Sequence, residues 1–156
     1  YPIDRTNADT AQAALDAGLE VLGRGDLLCI YPEGTRSPDG RLYRGKTGPA
    51  RLALRAGVPI VPVGVIGTDR YVRQGSRRPH PTRIRVRFGE PLDLSPWADR
   101  VGDRSAEREI TDEIMLRIQA LTGQEYVPDV YGADEKRRLE GGAPATEPGA
   151  APGPAA

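Results

Sequence analysis

Among 156 residues there is one cysteine, one histidine, one phenylalanine, one methionine and one tryptophan. Each scarcity closes off a class of chemistry. A single thiol, Cys29, forbids an internal disulfide framework and fits a reducing compartment, and its place in an apolar run reads as a buried structural thiol. A single histidine, His80, lies between Pro79 and Pro81 in an arginine-rich stretch, and no cluster of histidine, cysteine and carboxylate has metal-ligand spacing. No run approaches the ~18 apolar residues that make a membrane-spanning helix, and no secretory leader is visible, so any such segment is expected upstream of Tyr1. The 22 basic and 22 acidic side chains cancel, which argues against a general nucleic-acid binder.

What is present is ordinary for a globular domain, 38% hydrophobic and 28% charged. One domain over residues 1–139 is expected, followed by a disordered tail over 140–156 that is nearly all glycine, alanine and proline. Residues 8–22 have helix spacing, with Ala11, Leu15, Leu19 and Leu22 on one face and Asn7 as cap. Residues 26–31, continuously apolar from Leu27 to Tyr31, then read as a central strand buried on both faces. A short helix over 49–56 and a second apolar strand over 58–63 come next, in the order of a parallel crossover, although Pro59 and Pro62 mark that strand as an edge or interrupted one. Arg83, Arg85 and Arg87 alternate with Ile84, Val86 and Phe88 as in a half-buried strand. That arginine face, with Arg70, Arg73, Arg77 and Arg78 before it, is either solvated or open to an anionic headgroup or carrier protein. Residues 105–121 form the clearest amphipathic helix, striped by Ile110, Ile114, Ile118 and Leu121.

Chemistry concentrates where the first strand would end, at Tyr31-Pro32-Glu33-Gly34-Thr35-Arg36-Ser37. Open α/β sheets place ligands at such carboxyl ends. Gly34 permits a tight turn with its N–H exposed, Arg36 offers a planar fork of donors suited to phosphate, and Glu33 can hold an arginine or a substrate hydroxyl. The same residues also fit a plain polar turn closed by a salt bridge. Beyond the Ser37-Pro38-Asp39-Gly40 turn, Gly40-Arg41-Leu42-Tyr43-Arg44-Gly45-Lys46-Thr47 matches the P-loop pattern letter for letter. A P-loop needs a strand running into the first glycine and a helix leaving the lysine, whereas a turn precedes Gly40 and Pro49 stands where that helix should be under way. A chance match is therefore expected, with a nucleotide-binding protein using Lys46 and Thr47 as the rival.

The window from Tyr31 to Val63 resembles the glycerophosphate acyltransferase family, which includes the bacterial 1-acylglycerol-3-phosphate acyltransferases. The resemblance rests on Tyr31 through Ser37, where tyrosine replaces the phenylalanine of Phe-Pro-Glu-Gly-Thr-Arg, on Asp39-Gly40, on Lys46 with Gly48, and on the proline-bearing Ala56 to Val63 block. The opening Tyr1-Pro2-Ile3-Asp4-Arg5 is similar to a further block that ends in arginine. Gly45 and Pro49 depart from the commoner residues beside that lysine. The family's His-x-x-x-x-Asp block is missing: counting from His80, the aspartate position holds Arg85.

The resemblance implies an α/β fold, a twisted mixed sheet flanked by helices, with this chain as the C-terminal portion of a longer protein. It implies transfer of an acyl group from acyl-CoA or acyl-carrier protein to the free hydroxyl of lysophosphatidic acid at the cytoplasmic face of the cell membrane. The protein would be peripheral there, or anchored through a segment preceding Tyr1. Arg5, Glu33, Gly34, Thr35, Arg36 and Lys46 would bind the acceptor, with no metal, no cofactor beyond the acyl donor, no nucleic acid and no catalytic residue within the chain. In the family's chemistry the missing histidine takes the hydroxyl proton. A remnant that binds lipid or protein without catalysis is the other alternative.

Overall fold

The computed structural model describes residues 8–71 and 80–128. Arg5, Asn7, Arg73, Arg77, Arg78, Tyr131 and the Gly/Ala/Pro-rich tail lie outside the described residues.

The helices expected from apolar spacing are present, as α1 (Ala8–Gly23), α2 (Gly48–Ala56) and α4 (Arg104–Thr122), with a single-turn α3 (Thr68–Tyr71) between them. Helix α4 is the centre of the molecule. Its Asp103 cap accepts a hydrogen bond from the Ser105 N–H at 2.8 Å, satisfying a donor that the first turn leaves unpaired. Ile110, Ile114, Met115 and Ile118 of α4 are buried with Leu42, Ala50, Leu54 and Leu92, and Ile60, Leu94, Trp97 and Tyr126 pack around them. Helix α2 joins α4 through this core and through the Arg51 guanidinium, 3.2 Å from the buried Glu107 carboxylate. Helix α1 packs on α2 where Gly18 leaves room for Leu52: a Cβ at Gly18 would stand 3.1 Å from Leu52 Cδ2. The turn carrying Trp97 is fastened to α4 as well. The Trp97 indole N–H and the Arg100 guanidinium both donate to Glu109, and Arg100, then Trp97, hold its carboxyl down to about 2.

Strands complete the α/β class as two separate pairs. Strands β1 (Leu42–Tyr43) and β4 (Tyr126–Val127) are parallel, whereas β2 (Val63–Ile66) and β3 (Arg85–Phe88) are antiparallel with Val63 opposite Phe88 and Gly64 opposite Arg87. The second apolar strand therefore starts at Val63 rather than at Val58. Pro59 and Pro62 have no N–H to give a ladder, and only Ile60 bridges, to Leu92, before β2 begins.

Residues 26–31 depart from expectation altogether. They form no ladder among the described residues, Leu27 is 89% and Tyr31 72% exposed, and Cys29 is exposed instead of buried. Length and apolarity suit this run to a strand, but a strand exists only where a neighbouring backbone accepts its N–H and C=O groups. The expected crossover from this run to residues 58–63 is accordingly not formed. Strand β3 has its predicted alternation without its predicted half-burial, since all four of its residues are exposed. Helix α4 lies against the Gly64 side of the pair, where Arg87 donates to the Leu121 carbonyl at 2.8 Å, so one arginine of the basic strand completes a helix end.

Ile110→Ala should lower the unfolding free energy by about 2–5 kcal/mol, as for other fully buried aliphatic side chains, while Leu27→Ser should change it by less than about 0.5 kcal/mol. Urea denaturation of the two variants measures both. Comparable losses would mean that the apolar run, and not α4, carries the core.

Candidate functional site

Between Pro32 and Lys46 the chain makes an excursion whose later part, Leu42 and Tyr43, is buried, and two hydrogen bonds tie its ends together. The Lys46 N–H donates to the Pro32 carbonyl at 2.8 Å, and the Tyr43 N–H donates to Glu33 Oε2 at 2.9 Å. At the tip, Asp39 accepts from the Arg41 N–H, the Arg41 guanidinium at 2.7 Å and the Tyr43 hydroxyl at 2.9 Å. Burial opposes ionisation of Asp39, but these three donors together hold its carboxyl below the ordinary range. The Ser37-Pro38-Asp39-Gly40 turn expected from composition is present, with Gly40 at φ +83° and its N–H on the Ser37 hydroxyl. Gln124, just past α4, donates to the Gly40 carbonyl and anchors the tip from the other side.

Inside this frame the Glu-Gly-Thr-Arg turn meets Lys46. Gly34 has φ +69°, a conformation that costs a side chain dearly, and its N–H closes the turn onto the Tyr31 carbonyl at 3.0 Å. A Cβ at Gly34 would stand 3.2 Å from Cδ, Cε and Nζ of Lys46, so the lysine side chain lies across the glycine. Thr35 and Arg36 come next on the same turn and are exposed. Glu33, half-buried, makes no ion pair with Arg36 among the described residues; its carboxylate receives the Tyr43 N–H instead. Burial pushes the Glu33 carboxyl up, the Tyr43 N–H pulls it partly back, and the neighbouring Asp39 charge pushes it up again.

Both plain alternatives lose support in this geometry. The turn has no Glu33–Arg36 ion pair among the described residues, although Arg41 and Asp39 pair at the tip of the loop at 2.7 Å. As for the P-loop, Leu42 and Tyr43 occupy the middle of the match as the buried strand β1. The backbone donors that would wrap a phosphate are engaged: the Leu42 N–H is on the Glu125 carbonyl and the Tyr43 N–H on Glu33. Helix α2 does start directly behind Thr47, a feature a P-loop shares, with Pro49 tolerated in its first turn.

Of the six residues proposed from sequence for the acceptor, the structure brings Glu33, Gly34, Thr35, Arg36 and Lys46 together on one turn and its return, and Arg5 lies outside the described residues. His80 is exposed, and its ring takes part in no ion pair among the described residues. Of the supporting residues, Asp39 belongs to the motif and to the Ser-Pro-Asp-Gly turn but has no role in the site from sequence, and Arg41 and Tyr43 read there only as bulky positions inside the P-loop pattern. Arg108 left no such signal. It donates to the Gly45 carbonyl at 2.8 Å across 63 positions of sequence.

The raised Glu33 carboxyl fixes the sign of a pH effect. Because the native state holds this proton more tightly than the unfolded chain, its contribution is fully present below the ordinary value of 4.5 and is lost as pH rises through the folded value. Denaturation midpoints of the wild type and Glu33→Gln, compared from pH 4 to pH 7, should show the wild type losing stability relative to the variant as pH rises. A slope of opposite sign would mean that the loop stabilises the carboxylate.

Comparison with known proteins covers the same segment. Residues 1–66 match the Acyltransferase family model. A 1-acyl-sn-glycerol-3-phosphate acyltransferase of Limnanthes alba is 38% identical over 103 residues, which is 65% of this chain and 37% of that protein. One from Cocos nucifera is 36% identical over 98 residues, 62% of this chain and 32% of that protein. The chain thus spans about a third of the length of these relatives. Among solved structures, the 1-acyl-sn-glycerophosphate (LPA) acyltransferase PlsC from Thermotoga maritima superposes with a TM-score of 0.56 at 29% identity, over 69% of this chain and 44% of that one. The family match runs to Ile66 at the end of β2 and takes in both the Glu-Gly-Thr-Arg turn and the lysine folded across it, and over that segment the chain is similar to the acyltransferase family.

Proposed function

We propose that this chain forms the acceptor-binding part of a 1-acyl-sn-glycerol-3-phosphate acyltransferase, in which an acyl group passes from acyl-CoA or acyl-carrier protein to the free hydroxyl of lysophosphatidic acid. The observation that carries the reading is Lys46 lying across Gly34 beside an exposed Arg36, which gathers two cations on a tight backbone turn. A phosphate monoester suits that arrangement, the guanidinium as a fork of donors and the ammonium as a compact charge. Glu33 serves it indirectly. With its carboxylate on the Tyr43 N–H, it shapes the turn without neutralising Arg36.

In the reaction the acceptor oxygen attacks the thioester carbonyl, the carbon–oxygen bond forms as the carbon–sulfur bond breaks, and the hydroxyl proton is taken by a base and delivered to the departing thiol. No histidine–aspartate block lies within these 156 residues, and the exposed His80 has no carboxylate partner among the described residues. We assign to this chain the binding and placing of the acceptor, and to a His-x-x-x-x-Asp block outside it the proton transfer. The reaction would take place at the cytoplasmic surface of a membrane. No described helix is long and apolar enough to cross one.

Arg36→Ala, made in an active polypeptide that carries such a block ahead of Tyr1, should raise the acceptor's KM about tenfold or more and leave the donor's KM unchanged. An unchanged acceptor KM in a folded variant would remove Arg36 from the site. The 156 residues alone should show no thioester-dependent acylation of lysophosphatidic acid, because general-base assistance contributes about 10² to 10⁴ in rate. Equal turnover with and without the block would place the catalytic residues elsewhere. Activity in neither would favour a noncatalytic binding protein, and ATP affinity abolished by Lys46→Ala would favour the nucleotide site.

A further inference from the structure

The peptide unit joining Gly45 to Lys46 is held at both of its polar ends. Its N–H, belonging to Lys46, donates to the Pro32 carbonyl at 2.8 Å, and its C=O, belonging to Gly45, accepts from Arg108 Nη1 at 2.8 Å. A peptide group is planar, so two bonds to its opposite ends fix its orientation and with it the direction in which the next residue leaves the backbone. That residue is Lys46.

Arg108 is itself well fixed. It projects from α4, its Nη2 donates to Asp112 one turn further on at 2.6 Å, and its buried Nε has no hydrogen-bond partner. The guanidinium thus places Nη1 on the Gly45 carbonyl while Nη2 is held by Asp112. The residue under the peptide has little room for a side chain. A Cβ at Gly45 would stand 2.8 Å from Met115 Sδ and 3.1 Å from Thr111 Cγ2, both residues being fully buried in α4. Gly45 is thus pressed onto the helix by its lack of a side chain, and its carbonyl is fastened there by Arg108.

We infer that Arg108 is a positioning residue for the acceptor phosphate, acting through the Gly45–Lys46 peptide to hold the Lys46 ammonium across Gly34. The inference rests on the proposed role of Lys46 in binding the acceptor. Arg108 reaches the ligand only through Lys46, and α4 thereby becomes a structural wall of a site whose motif residues all precede Thr47.

Hydrogen exchange of the Lys46 amide in Arg108→Ala tests the positioning directly, because that amide hydrogen is bonded to Pro32 and is read without any ligand. Losing a charge-assisted bond at the other end of the same peptide should quicken its exchange about tenfold, with the α2 amide of Arg51, bonded to the Thr47 carbonyl, unchanged. Arg108→Lys, which keeps a charged donor within reach of Gly45, should retain most of the protection. Should the alanine variant not fold, Arg108→Gln keeps part of the stem and loses the charged fork, and the same amide is followed in it. Unchanged Lys46 exchange, or an equal rise at Lys46 and Arg51, would overturn the inference, the second because it reports general loosening. In an active polypeptide, Arg108→Ala should lower kcat/KM for the acceptor, and in a Lys46→Ala background the same change should lower it no further. A further fall in the double variant relative to Lys46→Ala alone would also overturn the inference. If Lys46→Ala alone leaves the acceptor's KM unchanged, the proposed function of the turn fails, whereas the exchange result stands or falls separately.

Discussion

The return of the chain from Pro32 to Lys46 is the constraint on which the site depends, and it is made by hydrogen bonds to backbone groups at both ends. The Lys46 N–H on the Pro32 carbonyl and the Tyr43 N–H on Glu33 close the excursion, and the Asp39, Arg41 and Tyr43 cluster stiffens its tip. Loops of this length ordinarily keep conformational freedom that a ligand must remove at a cost in affinity. Here most of that ordering is done within the folded chain. Lys46, which as a lysine on a long loop would be expected to act as a loosely placed charge, has its backbone bonded on both sides and its stem laid over Gly34.

Charge placement is set by the same closure. Glu33, Asp39 and Tyr43 and the four cations Arg36, Arg41, Arg44 and Lys46 fall within the excursion, yet they are not paired at random. Asp39 is taken by Arg41 and Tyr43 at the tip, and Glu33 by a backbone N–H. Neither carboxylate reaches Arg36 in an ion pair among the described residues. The raised Glu33 carboxyl fits this division, since burial disfavours its charge more than one N–H restores it. The exposed Arg36 and Lys46 are left without an ion pair among the described residues, as an anion site requires.

What could be read from the sequence divides by the range of the interaction. Helices α1, α2 and α4 were legible because capping and apolar period are local, and α4's stripe of Ile110, Ile114 and Ile118 is the observed core. The Glu33 to Arg36 turn and Lys46 were legible as a motif, and the turn at Asp39 and Gly40 as composition. Residues 26–31 misled, because periodicity and apolarity describe what a segment can do while a ladder also needs a partner backbone alongside. The two-residue strand β1 hid inside the P-loop pattern, where only its parallel pairing with Tyr126 and Val127 reveals it. Arg108 and Gly45 could not be found at all from one sequence, since their meeting is set by how α4 packs.

Fixing Lys46 so firmly has a reason in the proposed chemistry. The phosphate of the acceptor does not react; its attachment serves to place a hydroxyl several bonds away against a thioester and a base. Binding energy at a remote group accelerates a reaction only insofar as it holds the reacting atoms in line, and displacement of about 1 Å can cost roughly 10²-fold in rate. A mobile ammonium would still attract the phosphate, but it would do so equally well in many poses. Anchoring the lysine's peptide to α4 on one side and to the Pro32 carbonyl on the other converts electrostatic attraction into orientation. A helix that begins at Arg104, far downstream of the motif, is therefore part of the binding site's geometry, although none of its residues belongs to the motif.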